Sequence, residues 1–446
     1  MNKYTFRGGI HTFEGKWLTS DKQTKAYLPS SGEMVFPLSQ HIGAPAEPCV
    51  SIGEQVLAGQ IIAKANGAVS SNIITSVSGV VKKIEERRTV TGQMIKSIVI
   101  SNDGEYKTVP WAGKQGALEE FTREDILAAI RDAGIVGLGG AGFPTHVKLS
   151  PKEPEKIEYF IINASECEPY LTSDYRAILE KGEQLIEGAE VILSLLPNAR
   201  CIVAMEDNKP EAAKHMLELS KGHEKISVMT LKTKYPQGAE RNLIYAVTKR
   251  KINSKMLPSD AGCIVDNVST VIAVGNAVLR GIPLTKKTIT VTGDAVSNPW
   301  NVEVPIGASF HDVLSFAGGV KRNPAKIISG GPMMGIAMRS LDVPVVKTSS
   351  AILCLTEQET KSFEPTGCIN CGRCIDVCPE GLMPMLLHTY TKKENYKKFI
   401  KNYGMECVEC GCCSYVCPGR NMLTEQFKAM KVKTRAYIKN NNGGAR

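Results

Sequence analysis

The sequence predicts a multidomain α/β protein in which strand-rich modules flank a layered α/β unit and a helical, cysteine-rich domain follows. Three observations carry that expectation. Short Val- and Ile-rich runs between turns fill residues 47–86, strand and helix patterns alternate from Ile157 to Leu231, and nine of the fourteen cysteines fall between Cys368 and Cys417. At 446 residues the chain is too long for one core, and 43% hydrophobic against 22% charged residues is ordinary for a folded protein. No apolar run approaches the ~18 residues of a membrane helix, and MNKYTFRGGIHTFEGKW lacks a signal peptide's apolar core, so a cytoplasmic location is expected. In that compartment fourteen cysteines point to metal or redox chemistry rather than disulfides.

Residues 1–108 read as an N-terminal arm followed by a compact β module. The pattern V-x-x-G-[ED]-x-V-x-x-G-Q, followed by S-V-S-G-V-V, resembles the barrel-sandwich modules of lipoyl and biotinyl carriers. Asn66 falls where such carriers place a modified lysine, so the module reads as a docking element rather than a swinging arm. The polar linker SNDGEYKTVPWAGKQG closes it.

The α/β unit is expected over 119–282 and opens with a helix in TREDILAAIRDAG: Thr122 is its N-cap, Asp125 completes a capping box, and Ile126, Ala129, Ile130 and Ala133 share a face. The loop after it, GIVGLGGAGFPTHVK, contains G-x-G-x-x-G in Gly137, Gly139 and Gly142. A Rossmann turn needs a strand before the glycines and a helix after them. Here a helix precedes and the strand IEYFIINASE follows, which excludes it. Successive glycines still let backbone N–H groups converge on a phosphate, with Lys148 adding a positive charge at the loop's end. The alternation that follows predicts a parallel sheet, extended by CIVDN and the helix after it. Three polar clusters then lie at strand ends, where α/β folds bind ligands: Asn163 to Glu168, Gly238 to Glu240, and Asp266 to Thr270. Residues 283–350, with KKTITVTGDAV, WNVEVPIG, SFHDVLSFAGG and KIISGGPMMG, look like a β-grasp domain of the soluble ligand-binding type, and TEQETKSFEPTG is a linker.

CINCGRCIDVCP and CVECGCCSYVCP are each C-x2-C-x2-C-x3-C-P, the run that binds four-iron, four-sulfur (4Fe-4S) clusters. Structural zinc sites lack the third C-x2-C step and the proline. Three thiolates of a run hold one cluster while the fourth, carried away by the next turn, holds the other. The expected sets are Cys368, Cys371, Cys374 with Cys417, and Cys407, Cys410, Cys413 with Cys378. Residues 365–435 thus form a helical ferredoxin-like domain followed by a tail, 436–446, with Tyr396, Phe399, Ile400 and Tyr403 as an inward stripe opposite Lys397, Lys398 and Lys401. Cys412 is out of register, Cys49, Cys201, Cys263 and Cys354 read as core, and Cys167 faces the ligand site. From Lys392 to Arg446 twelve Lys or Arg face four Asp or Glu. Lys397, Lys398, Lys401, Lys428, Lys431 and Lys433 are therefore candidates for docking on an acidic partner or a membrane. Nucleic acid is not expected, because no binding motif accompanies the charge.

GLGGAGFPTHVK, NASECEP, YPQGAE and DNVST, in that order, resemble the flavin-binding domain of the NADH-oxidising flavoprotein subunit of respiratory complex I. With FRGGIHTFEGKW, the β module, ISGGPMMG and the double cysteine run, nearly the whole chain resembles the RnfC family of Rnf electron-transport complexes. That resemblance implies FMN held by Gly137, Gly139, Gly140, Gly142, Lys148, Asn163, Ser165, Glu166, Asn267 and Thr270, with Gly238 in the adjoining turn. It implies NAD(H) stacked near Phe143, Glu166, Glu168 and Glu240, and two 4Fe-4S clusters. It also implies the other Rnf subunits as partners, ferredoxin acting through the complex, and a peripheral position on the cytoplasmic face of the membrane. The sequence departs from complex I subunits at Leu138, where Arg is usual, at Ala239, where a second Glu is usual, and in carrying two cysteine runs. A cobalamin reductase shares the flavin, β-grasp and cluster regions but places the barrel-sandwich module after the clusters. A purely electron-carrying scaffold with an empty nucleotide site is the other alternative.

Overall fold

The computed structural model describes residues 4–110, 113–114, 116–360 and 363–442. Residues 1–3 of the arm, 111, 112 and 115 of the first linker, 361–362 of the second and 443–446 of the tail lie outside the described residues. The β module is a sandwich of two antiparallel sheets. One runs Gly32–Pro37, Met94–Asn102, Gly79–Arg88, Gln55–Val56, and the other Glu47–Pro48, Ile61–Lys64, Ile73–Ile74. Phe36, Ile62, Ile73, Val81, Ile98 and Ile100 are buried, each worth about 1.5–3 kcal/mol in transfer free energy. Asn66 is tied to Glu47 by a 2.8 Å hydrogen bond. Cys49 is not core: Glu47–Pro48 is only two residues long, and the chain leaves the sheet with the thiol exposed. Cys201, Cys263 and Cys354 are buried.

Four parallel strands form the sheet of the α/β unit in the order Ile226–Leu231, Arg200–Glu206, Tyr159–Ala164, Cys263–Asn267. Two helices, Ser173–Ser194 and Val268–Arg280, pack against each other, and glycines set their spacing. A Cβ on Gly188 would lie 2.1 Å from the Val271 carbonyl oxygen, and one on Gly275 would lie 2.9 Å from the Gly188 Cα. The helix Arg123–Asp132 starts with the expected capping box of Thr122 and Asp125.

The next sheet takes its strands from a wider span than 283–350. Ala351–Leu355 inserts between Lys286–Thr292 and Lys326–Ser329, and Lys25–Ala26 of the arm pairs with Trp300–Pro305 at the edge. All five residues of AILCL are buried, as a strand covered on both faces requires. The cysteine domain packs Pro384–Lys392, Tyr396–Lys401 and Leu423–Asn442 around Leu387, Phe399, Phe427 and Met430. Of the expected stripe only Phe399 is buried. The helix stops at Lys401, Tyr403 turns out at φ 61° and is 70% exposed, and Tyr396 stacks on Tyr437 with ring centroids 5.1 Å apart.

One buried lysine joins three of these units. Lys347 Nζ donates to Ser71 Oγ at 3.1 Å, to the Asn72 carbonyl at 2.5 Å and to the Gly134 carbonyl at 2.7 Å. Burial pushes its ammonium down from 10.5 to about 7. Between those values the unfolded chain holds a proton that the folded one has lost, so this group's contribution to stability rises with pH. Lys347→Met should lower stability by about 1–3 kcal/mol by stranding buried acceptors. Its deficit relative to the wild type should widen from pH 7 to pH 9, read as the difference in thermal midpoint.

Candidate functional site

The glycine loop is closed on itself and braced by every neighbouring unit. Gly137 N donates to the Phe143 carbonyl at 2.9 Å, and Leu138 N donates to Thr270 Oγ1 at 2.9 Å. Ile42 N of the β module donates to the Gly142 carbonyl at 3.2 Å, and Lys287 Nζ of the β-grasp sheet donates to the Leu138 carbonyl. Gly142 takes φ +72°, and a Cβ there would meet Thr348 Cγ2 at 2.7 Å. Gly139 and Gly140 form the exposed tip. A Cβ on Gly139 would lie 2.7 Å from the Asn267 amide, whereas one on Gly140 meets nothing within 4 Å.

Asn267 itself is fixed. Its Oδ1 caps the helix Val268–Arg280 by accepting from Ser269 N, and its Nδ2 donates to Asp174 Oδ2 at 2.6 Å. Burial pushes the Asp174 carboxyl up, Glu166 pushes it further, and Lys287 draws it back. Lys148 does not stand free at the loop's end. Its ammonium donates to the Val265 carbonyl at 2.8 Å and pairs with the buried Asp266 at 3.1 Å. Asp266 and Glu240 hold that ammonium above its usual range against the effect of burial.

The other expected residues gather at the strand ends. Asn163 Nδ2 donates to the Gly238 carbonyl at 2.8 Å, and Gly238 N donates to Cys167 Sγ at 3.3 Å. Burial pushes the Cys167 thiol up to about 12, so it is no activated nucleophile. Glu166 and Glu168 are already engaged by backbone. Glu166 accepts from Asp174 N and Tyr175 N at the start of a helix, and Glu168 accepts from Met333 N and Met334 N of the ISGGPMMG turn. Lys16 of the arm holds that segment by donating to the carbonyls of Glu166, Glu168 and Leu171. Glu240 is exposed at the first position of the helix Glu240–Thr248. Around these groups Ser165 Oγ, both polar side-chain atoms of Gln237, Asp266 Oδ2 and Thr145 Oγ1 are buried without a hydrogen-bond partner. Buried polar groups are otherwise almost always paired, so this set suits a polar ligand, and an exposed glycine tip suits a phosphate.

Nine cysteines line two cavities. Cys368, Cys371, Cys374 and Cys417 border one, and Cys378, Cys407, Cys410, Cys412 and Cys413 border the other. Each cavity draws cysteines from both runs. Each thiol set faces a volume, which suits a cubane cluster better than a single ion. The second cavity is the inner one. Tyr235, two residues before Gln237, donates its Oη to the Cys410 carbonyl at 2.7 Å. Met333 abuts Gly411, and Arg241 bonds Glu380 at 2.8 Å and Glu406 at 3.1 Å, residues that flank Cys378 and Cys407. The arm threads between: Gly9 N donates to the Val377 carbonyl, and a Cβ on Gly8 would lie 2.6 Å from the Cys378 carbonyl oxygen. Cys412 is fully buried beside Cys410 and Tyr235. Lys431, expected among the exposed docking lysines, is instead buried against Cys407 and Glu409. Sequence reasoning missed Gln237, Asp174, Lys287 and Arg241. Only Gln237 carried a local signal, its place inside YPQGAE.

Profiles of known families match in the same order. The "Nuo51 FMN-binding domain" matches residues 130–276 and the "4Fe-4S dicluster domain" residues 367–421, flanked and separated by the "RnfC Barrel sandwich hybrid domain" at 4–105 and the "SLBB domain" at 288–337. With the geometry above, these define an electron-transfer protein built on FMN and iron–sulfur chemistry. The chain is 42% identical over 90% of its length, and 87% of the relative's, to the C component of the "Proton-translocating ferredoxin:NAD(+) oxidoreductase complex" of Clostridium ljungdahlii. It is 39% identical over 98% of its length, and 99% of the relative's, to the C component of the "Na(+)-translocating ferredoxin:NAD(+) oxidoreductase complex" of Acetobacterium woodii. It belongs to the RnfC family. An air-oxidized NAD+-reducing [NiFe]-hydrogenase has the same fold over 74% of this chain and 72% of its own, at TM-score 0.50 and 17% identity. Among the described residues no helix is long and apolar enough to cross a membrane.

Gly139→Val should displace Asn267 and cut FMN content several-fold while the iron–sulfur absorbance stays. Flavin released by denaturation and iron per chain are the two measurements. Arg241→Ala should leave both contents intact, yet slow reduction of the iron–sulfur absorbance by NADH in stopped flow, because the contact between the two sites loosens.

Proposed function

We propose that the chain is the NAD-side electron-transfer subunit of an ion-translocating ferredoxin:NAD+ oxidoreductase of the Rnf type, working between NAD(H), FMN and two 4Fe-4S clusters. The observation that carries this reading is the direct contact of the two sites, in which Tyr235 beside the orphaned Gln237 is bonded to the carbonyl of Cys410. When bound, FMN supplies hydride exchange with a nicotinamide and the clusters supply one-electron transfer.

The protein's part is to hold and orient. Gly137, Gly139, Gly140 and Gly142 bring backbone to the phosphate, with Asn267 and Thr270 fixing the loop from below. Asn163, Ser165 and Gln237 would offer the flavin polar partners, and Gly238 would leave room for the backbone beside it. Lys148 acts through Asp266, fixing the floor of the site rather than serving as a free charge. Phe143 and Glu240 border the nicotinamide, while Glu166 and Glu168 shape its pocket through the backbone they hold. Cys407, Cys410, Cys413 and Cys378 hold the cluster nearer the flavin. Cys368, Cys371, Cys374 and Cys417 hold the outer one, where the exposed Cys368 and Cys371 face the other subunits. Docking is peripheral, on the cytoplasmic face, with the lysines of 397–401 on the solvent side; ferredoxin acts through the complex.

The full chain with FMN and iron–sulfur clusters should bleach on addition of NADH and reduce an artificial acceptor. Full flavin occupancy without bleaching would remove NAD(H) from the reading. Cys378→Ala should alter the paramagnetic signal of the cluster that disappears when Cys407 and Cys410 are both replaced. Persistence, in the double variant, of the signal that Cys378→Ala alters would mean that each run holds its own cluster.

A further inference from the structure

A buried cation lies behind the inner cavity, against the backbone of one of the cysteines that line it. Lys431, on the helix Leu423–Asn442, has a side chain 9% exposed, donates to the Cys407 carbonyl at 2.7 Å and pairs with Glu409 at 2.6 Å. Its neighbours along the helix, Lys433, Arg435 and Lys439, are exposed. The cation lining the outer cavity, Arg373, is exposed too, so water screens its charge. Burying a lysine is costly and is tolerated where the ammonium is paired and hydrogen-bonded. Two acceptors in the Cys407–Glu409 turn meet that requirement.

Glu380 and Glu406 share the Arg241 guanidinium, and Glu409, whose side chain is 29% exposed, shares Lys431. A cluster on four thiolates is negative, and one-electron reduction makes it more so. A cation fixed nearby in low dielectric stabilises the reduced form and raises the potential, while a carboxylate opposes it, less so when partly solvated.

We propose that the Lys431 ammonium raises the reduction potential of the inner cluster and that Glu409 is the weaker, opposing charge. Lys431 is thus a positioning residue for electrons, favouring residence on the cluster beside the flavin. The proposal rests on the assignment of Cys378, Cys407, Cys410 and Cys413 to one cluster.

The test is a redox titration of the full chain, loaded with FMN and clusters and followed by electron paramagnetic resonance. Lys431→Met should lower the inner midpoint, changing the reduced-to-oxidised ratio at the wild-type midpoint about tenfold, which is about 59 mV for one electron. Lys431→Arg should keep the wild-type value, Glu409→Gln should raise it, and the outer midpoint should stay in all three. An unchanged inner midpoint in Lys431→Met at full cluster occupancy, or shifts of the same sign in Lys431→Met and Glu409→Gln, would overturn the proposal. If Lys431→Met fails to assemble the cluster, Glu409→Gln decides, since it keeps the lysine: a raised midpoint supports the proposal and an unchanged or lowered one overturns it. Replacing Cys407 and Cys410 together separates the two failures, because a signal that persists there discredits the ligand assignment instead.

Discussion

The hydrogen bond from Tyr235 to the Cys410 carbonyl is the joint on which the two halves of the molecule depend. Electron transfer weakens steeply with distance, so a flavin site and a cluster site in one chain are useful only if their separation is held. Four other contacts converge on the same joint: Arg241 on Glu380 and Glu406, Met333 on Gly411, Gly9 on Val377, and Glu168 on the Met333 and Met334 amides. They come from the α/β unit, the β-grasp sheet and the arm, so three parts of the sequence form the socket of a fourth.

That economy explains features that look redundant one at a time. The ISGGPMMG turn has no room for a small ligand where it meets Glu168, since a Cβ on Gly331 would lie 2.1 Å from that side chain. The β-grasp sheet therefore serves as a wedge between the flavin side and the inner cysteine loop. Likewise, Thr270 accepts from Leu138 N of the glycine loop, while Asn267, fixed by Ser269 N and Asp174, packs closely against Gly139 and supports the exposed tip.

Much of this is legible in the sequence, for physical reasons. The helix before the glycines and the strand after them have strong local periodicity, and they alone exclude a Rossmann turn. The cysteine before each proline lines the cavity of the other run, as the local turn there leads one to expect. The exceptions are of two kinds. Tyr403 departs from its expected place because the helical period does not continue past Lys401, where an Asn402–Tyr403 turn breaks it. The roles of Lys148, Lys347, Lys431 and Arg241 are hidden for another reason: a charged residue's partner lies far along the chain, and nothing in a lysine's neighbours announces that it will be buried.

The arm has one more consequence, which concerns the order in which the molecule can be completed. Residues 6–16 find their resting places far along the chain, at Lys234 and Tyr235, at the carbonyls of Glu166 to Leu171, and against Val377 and Cys378. The last of these surfaces exists only once the cysteine domain has been synthesised and shaped. The arm is therefore fully seated only when the cysteine domain is in place, and its glycines let it lie against the backbone of Val377 and Cys378 at the border of the inner cavity.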